Sequence, residues 1–283
     1  MAKMLQDTLK TIEYYKAQSP HYEELLDILE EILILREEHR RRMTDLIFPI
    51  EERLIPNKIA GGLPLIDFSA GDFDISRPLA YFMDLLEIAE KRVPGETADL
   101  AAQIRSGEID FKEMLLGSFF GGFEEEGEGE GEGDAEGSGD TYDLIDMFLE
   151  ECLRPALEMV VEKYGDRVPQ YNWNEGYCPV CGKEPKIGEI KQEEGMRYLF
   201  CNQCGIEWPY QRIKCPFCGN EEQQSLAYFT VEDDERYRVD VCNECKRYIK
   251  IVDFRESKEE ANLDVEDIAT LHLDILASEE GYD

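Results

Sequence analysis

Eight of the nine cysteines lie within 68 residues as four C-x-x-C pairs: Cys178 and Cys181, Cys201 and Cys204, Cys215 and Cys218, Cys242 and Cys245. Their settings read CPVCG, CNQCG, CPFCG and CNECK. Two residues between thiols let one short turn aim both sulfurs at a single ion, and two such turns complete a tetrahedral S4 shell for zinc or a rubredoxin-like iron. Glycine after the second cysteine (Gly182, Gly205, Gly219) suits the left-handed backbone that closes such a turn. Two metal ions per chain are therefore expected, iron or zinc, with the eight thiolates as ligands.

Pairing neighbours in sequence leaves 19 residues between Cys181 and Cys201 and 23 between Cys218 and Cys242. The first interval fits the usual ribbon spacing and the second slightly exceeds it. A cross-braced arrangement, first knuckle with third, is the alternative. Disulfides would need an oxidising compartment, and the opening MAKMLQDTLK holds no apolar signal run, so reduced thiolates in the cytoplasm are the expectation. No pair sits at the start of a helix in a βαβ setting, as a dithiol redox motif would require. No histidine or carboxylate pattern beside the cysteines leaves an open metal position, so structural metals and no catalytic residue are expected.

The strands that must carry these knuckles are legible as aromatic and β-branched runs at 196–200, 226–231 and 237–241. They predict two rubredoxin-like, zinc-ribbon-like modules in tandem, 171–213 and 214–258, joined through residues 205–214. Upstream, 1–170 reads as an α-helical domain. Helices are expected over 4–18, then through Tyr22, Leu25, Leu26, Leu29, Ile32 and Leu33, from Asp74 or Ser76 to Ala89, over 96–105 and 111–120, and from Asp140 to Gly165. Residues 48–68, with Pro49, Pro56 and Pro64, read as a loop. Pro155 predicts a kink in the 140–165 helix, and Cys152 on its apolar stripe reads as a core thiol. A last helix over 264–276, with Ile268, Leu271, Ile275 and Leu276 inward and His272 bordering them, closes the final segment, 259–283. The fold class expected is α+β.

Two charged stretches stand out. Arg36, His39, Arg40, Arg41 and Arg42 cluster at one helix end, read as a solvated cationic terminus or as an anion-binding patch. Residues 123–140 (FEEEGEGEGEGDAEGSGD) hold nine acidic residues and six glycines with no cation, and are expected to form a disordered surface loop.

The net charge of −34 over 283 residues argues against a nucleic-acid partner, since phosphate binding runs on Lys and Arg displacing counterions. The metal region itself holds more Asp and Glu than Lys and Arg. No run of eighteen apolar residues is present, so no membrane span is expected. Homo-oligomerisation stays open.

The runs YCPVCGKEP, RYLFCNQCGIEWPYQRIKCPFCGN and VCNECKRYIK, with the ending DIATLHLDILASEEGY, resemble the formate dehydrogenase accessory protein family, FdhE. The resemblance spans about residues 177–282 and includes all four cysteine pairs; upstream only Gly62-Leu63-Pro64-Leu65 echoes it. It implies a cytoplasmic accessory factor, not an enzyme, that acts on the catalytic subunit of formate dehydrogenase during maturation through iron-binding, rubredoxin-type sites. Arg197, Tyr198, Trp208, Tyr210 and Arg212 are the candidate partner-binding residues, of types enriched at interface hot spots. The competing reading is that Trp208 packs beneath the ribbons and Arg212 pairs with a local carboxylate. An S4-iron electron carrier and a zinc-ribbon nucleic-acid-binding regulator are the alternative functions.

Overall fold

A computed structural model of the chain describes residues 2–92, 95–120, 138–191, 195–231, 234–255 and 261–283. Most of the expected acidic loop, 123–137, lies outside the described residues. The helices among them are α1 (Ala2–Gln18), α2 (Glu23–Arg42), α3 (Ile55–Ala60), α4 (Ser76–Glu90), α5 (Glu96–Ser106), α6 (Phe111–Phe120), α7 (Ser138–Glu151) and α8 (Arg154–Tyr164). The strands β1 (Ile187–Ile190), β2 (Arg197–Phe200), β3 (Glu207–Tyr210), β4 (Leu226–Val231), β5 (Asp234–Cys242) and β6 (Tyr248–Val252) follow, then α9 (Leu263–Ala269) and α10 (Leu271–Glu279). This is the α+β class expected, with ribbon-like cysteine modules.

The chain divides into two compact units. One comprises Glu31–Pro49 and Asp67–Ala156, and the other Met1–Glu30, Ile50–Ile66 and Leu157–Asp283.

In the first of these, Tyr81, Phe82, Leu85 and Leu86 of α4 are buried, as the three- and four-residue spacing requires. Asp74 accepts the backbone N–H of Ser76 at 2.9 Å, which satisfies one orphan donor at the start of α4. The basic cluster of α2 does not behave as one surface. Arg36 makes a bidentate pair with Glu151 at 2.6 and 2.8 Å, Tyr81 Oη donates to the same carboxylate, and His39 Nε2 meets Asp84 at 2.8 Å. Arg36, His39 and Arg40 are buried, and only Arg41 and Arg42 reach solvent. Both readings of the cluster are thus corrected: most of it is an internal polar network, held because buried charges persist only when paired. Cys152 is buried, donates Sγ to Leu149 O at 3.0 Å, and burial pushes its thiol well up. The expected long helix divides at Cys152 and Leu153. Pro155, at the second position of α8, has no N–H to continue the ladder.

The second unit is organised on one six-stranded sheet of order β3-β2-β1-β6-β5-β4. Each cysteine module supplies three strands. All neighbours pair antiparallel except β1 and β6, whose parallel register (Ile187 with Lys250, Gly188 with Ile251) fuses the two modules edge to edge. The period-2 alternation of side chains then gives the sheet two different faces. Ile187, Phe200, Tyr237, Val239 and Val252 point to the side covered by Leu263, Leu273 and Ala277 of α9 and α10. Arg197, Leu199, Trp208, Tyr210, Arg238 and Asp240 occupy the other.

Strands β2, β4 and most of β5 coincide with the expected runs at 196–200, 226–231 and 237–241, while β1, β3 and β6 lie outside them. Strand β3 contains Pro209, tolerated because β3 is an edge. Strand β6 carries Lys250 at its centre. Two further corrections concern helices. Residues 55–60, expected in a loop, form α3, because Pro56 stands where a helix begins and not where one breaks. The last helix is two helices interrupted at Thr270, which shifts the inward face: Val265, Leu273 and Ala277 are buried, while Ile275 is 61% exposed. His272 stacks on Tyr22.

Candidate metal centres

Each C-x-x-C closes in the same way. The backbone N–H of the residue after the second cysteine donates to the carbonyl of the first: Gly182 to Cys178 at 2.9 Å, Gly205 to Cys201 at 2.8 Å, Gly219 to Cys215 at 3.1 Å and Lys246 to Cys242 at 2.8 Å. The N–H of each first cysteine in turn donates five residues on, to Lys183, Ile206, Asn220 and Arg247 carbonyls. All four closing residues have positive φ, from 60° to 82°. Glycine adopts that geometry without cost; Lys246 does so with a Cβ, the one knuckle that departs from the pattern.

The knuckles converge in sequential pairs. Cys178, Cys181, Cys201 and Cys204 form one tetrad, and Cys215, Cys218, Cys242 and Cys245 the other, with the sulfurs of each within 4.8 Å of one another. Across the first, Cys178 to Cys204 and Cys181 to Cys201 are 3.4 Å apart; across the second, Cys215 to Cys245 and Cys218 to Cys242 are 3.7 Å. An ideal tetrahedron with metal–sulfur bonds of about 2.3 Å has sulfurs about 3.8 Å apart. Both tetrads therefore fit a four-thiolate ion, and none of the nine cysteines is bridged in a disulfide.

The electrostatics ask for a cation. Burial pushes the thiols of Cys181 and Cys204 well up, whereas at Cys201 hydrogen bonds from the other three sulfurs outweigh burial and hold it well below its usual value. In the second tetrad burial raises Cys215 and Cys245. At Cys242 burial is outweighed by the Cys245 backbone N–H and the Asn220 amide, which bring it to about 7. Cys201 and Cys242 are thus held toward the thiolate while burial holds Cys181, Cys204, Cys215 and Cys245 toward the thiol; a divalent ion would favour the thiolate at all of these. The sites differ in access: all four sulfurs of the first belong to buried residues, while Cys218 is exposed and Cys245 half-buried.

Of the five candidate partner-binding residues, three are interior. Trp208 is fully buried and donates Nε1 to Glu175 O at 3.3 Å. Tyr210, also buried, donates Oη to the carbonyl of Cys215 at 3.1 Å, tying β3 to the second tetrad. Arg197 is 2% exposed and reaches Asp240 at 3.2 Å and the carbonyls of Gln211 and Lys214. Tyr198 is half-buried with Lys191 over its ring, and Arg212 is exposed, donating to Gly195 O at 3.3 Å.

One supporting element escaped sequence reading. The segment Gly62 to Ile66 lies against the first knuckle: Leu65 and Ile66 N–H groups donate to Pro179 and Val180 carbonyls at 2.9 and 3.0 Å, and Tyr177 Oη donates to Gly62 O at 2.6 Å. Its Gly-Leu-Pro-Leu pattern was the available signal.

A family model described as "FdhE, central domain" matches residues 177–212, and one described as "FdhE, C-terminal domain" matches 213–283. A curated "Protein FdhE homolog" from Aquifex aeolicus (strain VF5) is 30% identical over 277 residues, covering 97% of this chain and 90% of the relative. A "Protein FdhE homolog" from Pseudomonas aeruginosa is 40% identical over 114 residues, 37% of this chain and 36% of that protein. The crystal structure of the FdhE protein from Pseudomonas aeruginosa aligns with a TM-score of 0.64 at 22% identity, covering 92% of this chain and 86% of that one, which places the fold alongside it.

Proposed function

The chain belongs to the FdhE family, and on that footing we propose that it is an accessory factor that binds the catalytic subunit of a formate dehydrogenase and supports formation of the active enzyme, without itself turning over formate. The observation that carries this reading is coincidence: the two matched family segments meet at 212–213, between the second and third knuckles, so each segment contains one complete tetrad. Each tetrad holds one iron or zinc ion in this reading, at Cys178, Cys181, Cys201 and Cys204 and at Cys215, Cys218, Cys242 and Cys245. When bound, such an ion locks its knuckles, and iron would add a one-electron couple.

The protein's own part is presentation. A sheet whose two modules are each closed by a four-cysteine site holds surface side chains in place, which lowers the ordering cost of docking a client. Arg212, with the exposed Met196 and Ile213 lining the same concavity, is the accessible remainder of the partner-binding region. The net charge of −34 favours a client with a basic patch over nucleic acid. Among the described residues no helix is long and apolar enough to cross a membrane.

Cells lacking the protein are expected to make the dehydrogenase polypeptide yet oxidise little formate, and anaerobic pull-downs with the metal-loaded chain are expected to retain the catalytic subunit. Wild-type formate oxidation in the deletion strain overturns the reading. The exposure of Cys218 favours a second one, an S4-iron electron carrier. It requires iron in the second tetrad and a reversible visible absorbance change with a redox partner.

A further inference from the structure

On the sheet face away from α9 and α10, beside the second tetrad, lies a cavity of about 410 Å³. Among the described residues its wall carries Arg197, Arg212, Lys214, Arg238 and Arg247 against one carboxylate, Asp240, and the second-tetrad cysteines Cys215 and Cys242. A chain with 64 acidic and 30 basic residues has thus collected five cations around one concavity.

Local pairing does not account for all five. Asp240 is shared between Arg197, at 3.2 Å, and Arg238, which meets both its oxygens at 2.9 and 3.2 Å. Glu184 holds Arg247, and Glu221 stands 3.4 Å from Lys214, both outside the cavity wall. Among the described residues Arg212 meets a backbone carbonyl, that of Gly195. Arg197 Nε is buried and, among the described residues, has no hydrogen-bond partner, a donor that native interiors rarely leave unused. The volume falls within the range of small-molecule sites. The wall is not only cationic. Tyr228, 63% exposed, lies under the Arg238 guanidinium at 5.1 Å, and Phe217 under that of Arg247 at 3.8 Å. Guanidinium groups braced on aromatic rings are held at fixed angles, and their forked donors match phosphate oxygens in pairs.

We propose that this cavity binds a small organic phosphate, its oxyanion received by Arg197, Arg212, Lys214 and Arg238 and its planar or apolar part laid against Tyr228 and Leu226. The site shares Arg212 and Ile213 with the partner-facing region of the client reading, but it is argued from the cavity and its wall and is tested without a client.

The experiment is calorimetric titration of the metal-loaded full chain with adenosine diphosphate, inorganic pyrophosphate and adenosine. Adenosine diphosphate is expected to bind at one site per chain, at least about tenfold more tightly than adenosine, because the charge-assisted contacts are lost without phosphate. Arg212→Gln and Arg238→Gln should each weaken it about tenfold, the cost of one such contact, while Arg53→Gln, an exposed cation paired with Glu51 elsewhere, should leave it unchanged. Arg212 is exposed, so its variant tests the site even where Arg238→Gln disturbs the fold. Failure of both phosphates to bind saturably, equal affinity in all three variants, or preference for a glutamate-rich peptide over adenosine diphosphate overturns the assignment.

Discussion

Ile187 and Lys250 stand side by side in the parallel register that joins β1 to β6, so the seam between the two cysteine modules carries a buried cation at its centre. Lys250 Nζ reaches Asp267 Oδ1 and Asp274 Oδ2, both at 2.7 Å, and donates to the Asp267 carbonyl at 2.8 Å. Its amine ties α9 and α10 to the seam. A buried amine is stable there only because three oxygens replace its water.

Replacing that amine while keeping the stem isolates its contribution. Lys250→Met should destabilise the chain by about 2–4 kcal/mol, toward the lower part of the range for a broken buried pair because Asp274 is partly exposed. Denaturant unfolding followed by circular dichroism reads this directly. An unchanged midpoint would mean the seam is held by its backbone hydrogen bonds alone.

The unequal burial of the tetrads predicts unequal metal release. A chelator should remove one ion per chain quickly, from the site containing exposed Cys218, and the other much more slowly from the fully buried site. Alkylation after the fast phase should label Cys215, Cys218, Cys242 and Cys245 and spare the other four. Release of both ions at one rate would contradict the difference in access. Cys201→Ser should bring the stoichiometry of the intact protein from two ions to one.

Gly176 lies against the second module. A Cβ built there would sit 1.8 Å from the Pro216 carbonyl oxygen, a backbone atom that cannot swing away. Gly176→Ala should therefore displace the Cys215 knuckle, costing on the order of 2–4 kcal/mol and speeding metal loss from the second site. Melting temperature and chelator kinetics report the two effects separately. Wild-type values for both would show that the chain relaxes at Gly176 instead.

Glu189 provides a pH test. Burial, then the neighbouring Glu207, raise its carboxyl from 4.5 to about 7, with Lys191 opposing. The folded state therefore holds a proton that the unfolded chain has released. Stability should fall as pH rises from about 4.5 through about 7, and Glu189→Gln should flatten that slope. Solvent around Glu207 and Lys191 screens the effect to on the order of 1 kcal/mol. A slope unaltered by the substitution would assign the pH dependence to other groups.

What the sequence determined by itself is local. Four C-x-x-C pairs announce two S4 sites because a thiol turn needs only two spacer residues and a residue that tolerates positive φ, and both conditions are written within five positions. Amphipathic periodicity disclosed most helices for the same reason. The tertiary structure decided what depends on partners distant in the chain. Strand β3, with its proline, is a strand because Arg197 and Leu199 pair with Tyr210 and Trp208 across the sheet. Strand β6 tolerates a central lysine because Asp267 and Asp274 arrive from beyond it. Trp208, Tyr210 and Arg197 have the composition of a binding surface, yet burial on one sheet face makes them interior supports. That same face gathers five cations from separated positions into one cavity, an arrangement no window of an acidic sequence could reveal, since charge concentrates there by folding and not by proximity along the chain.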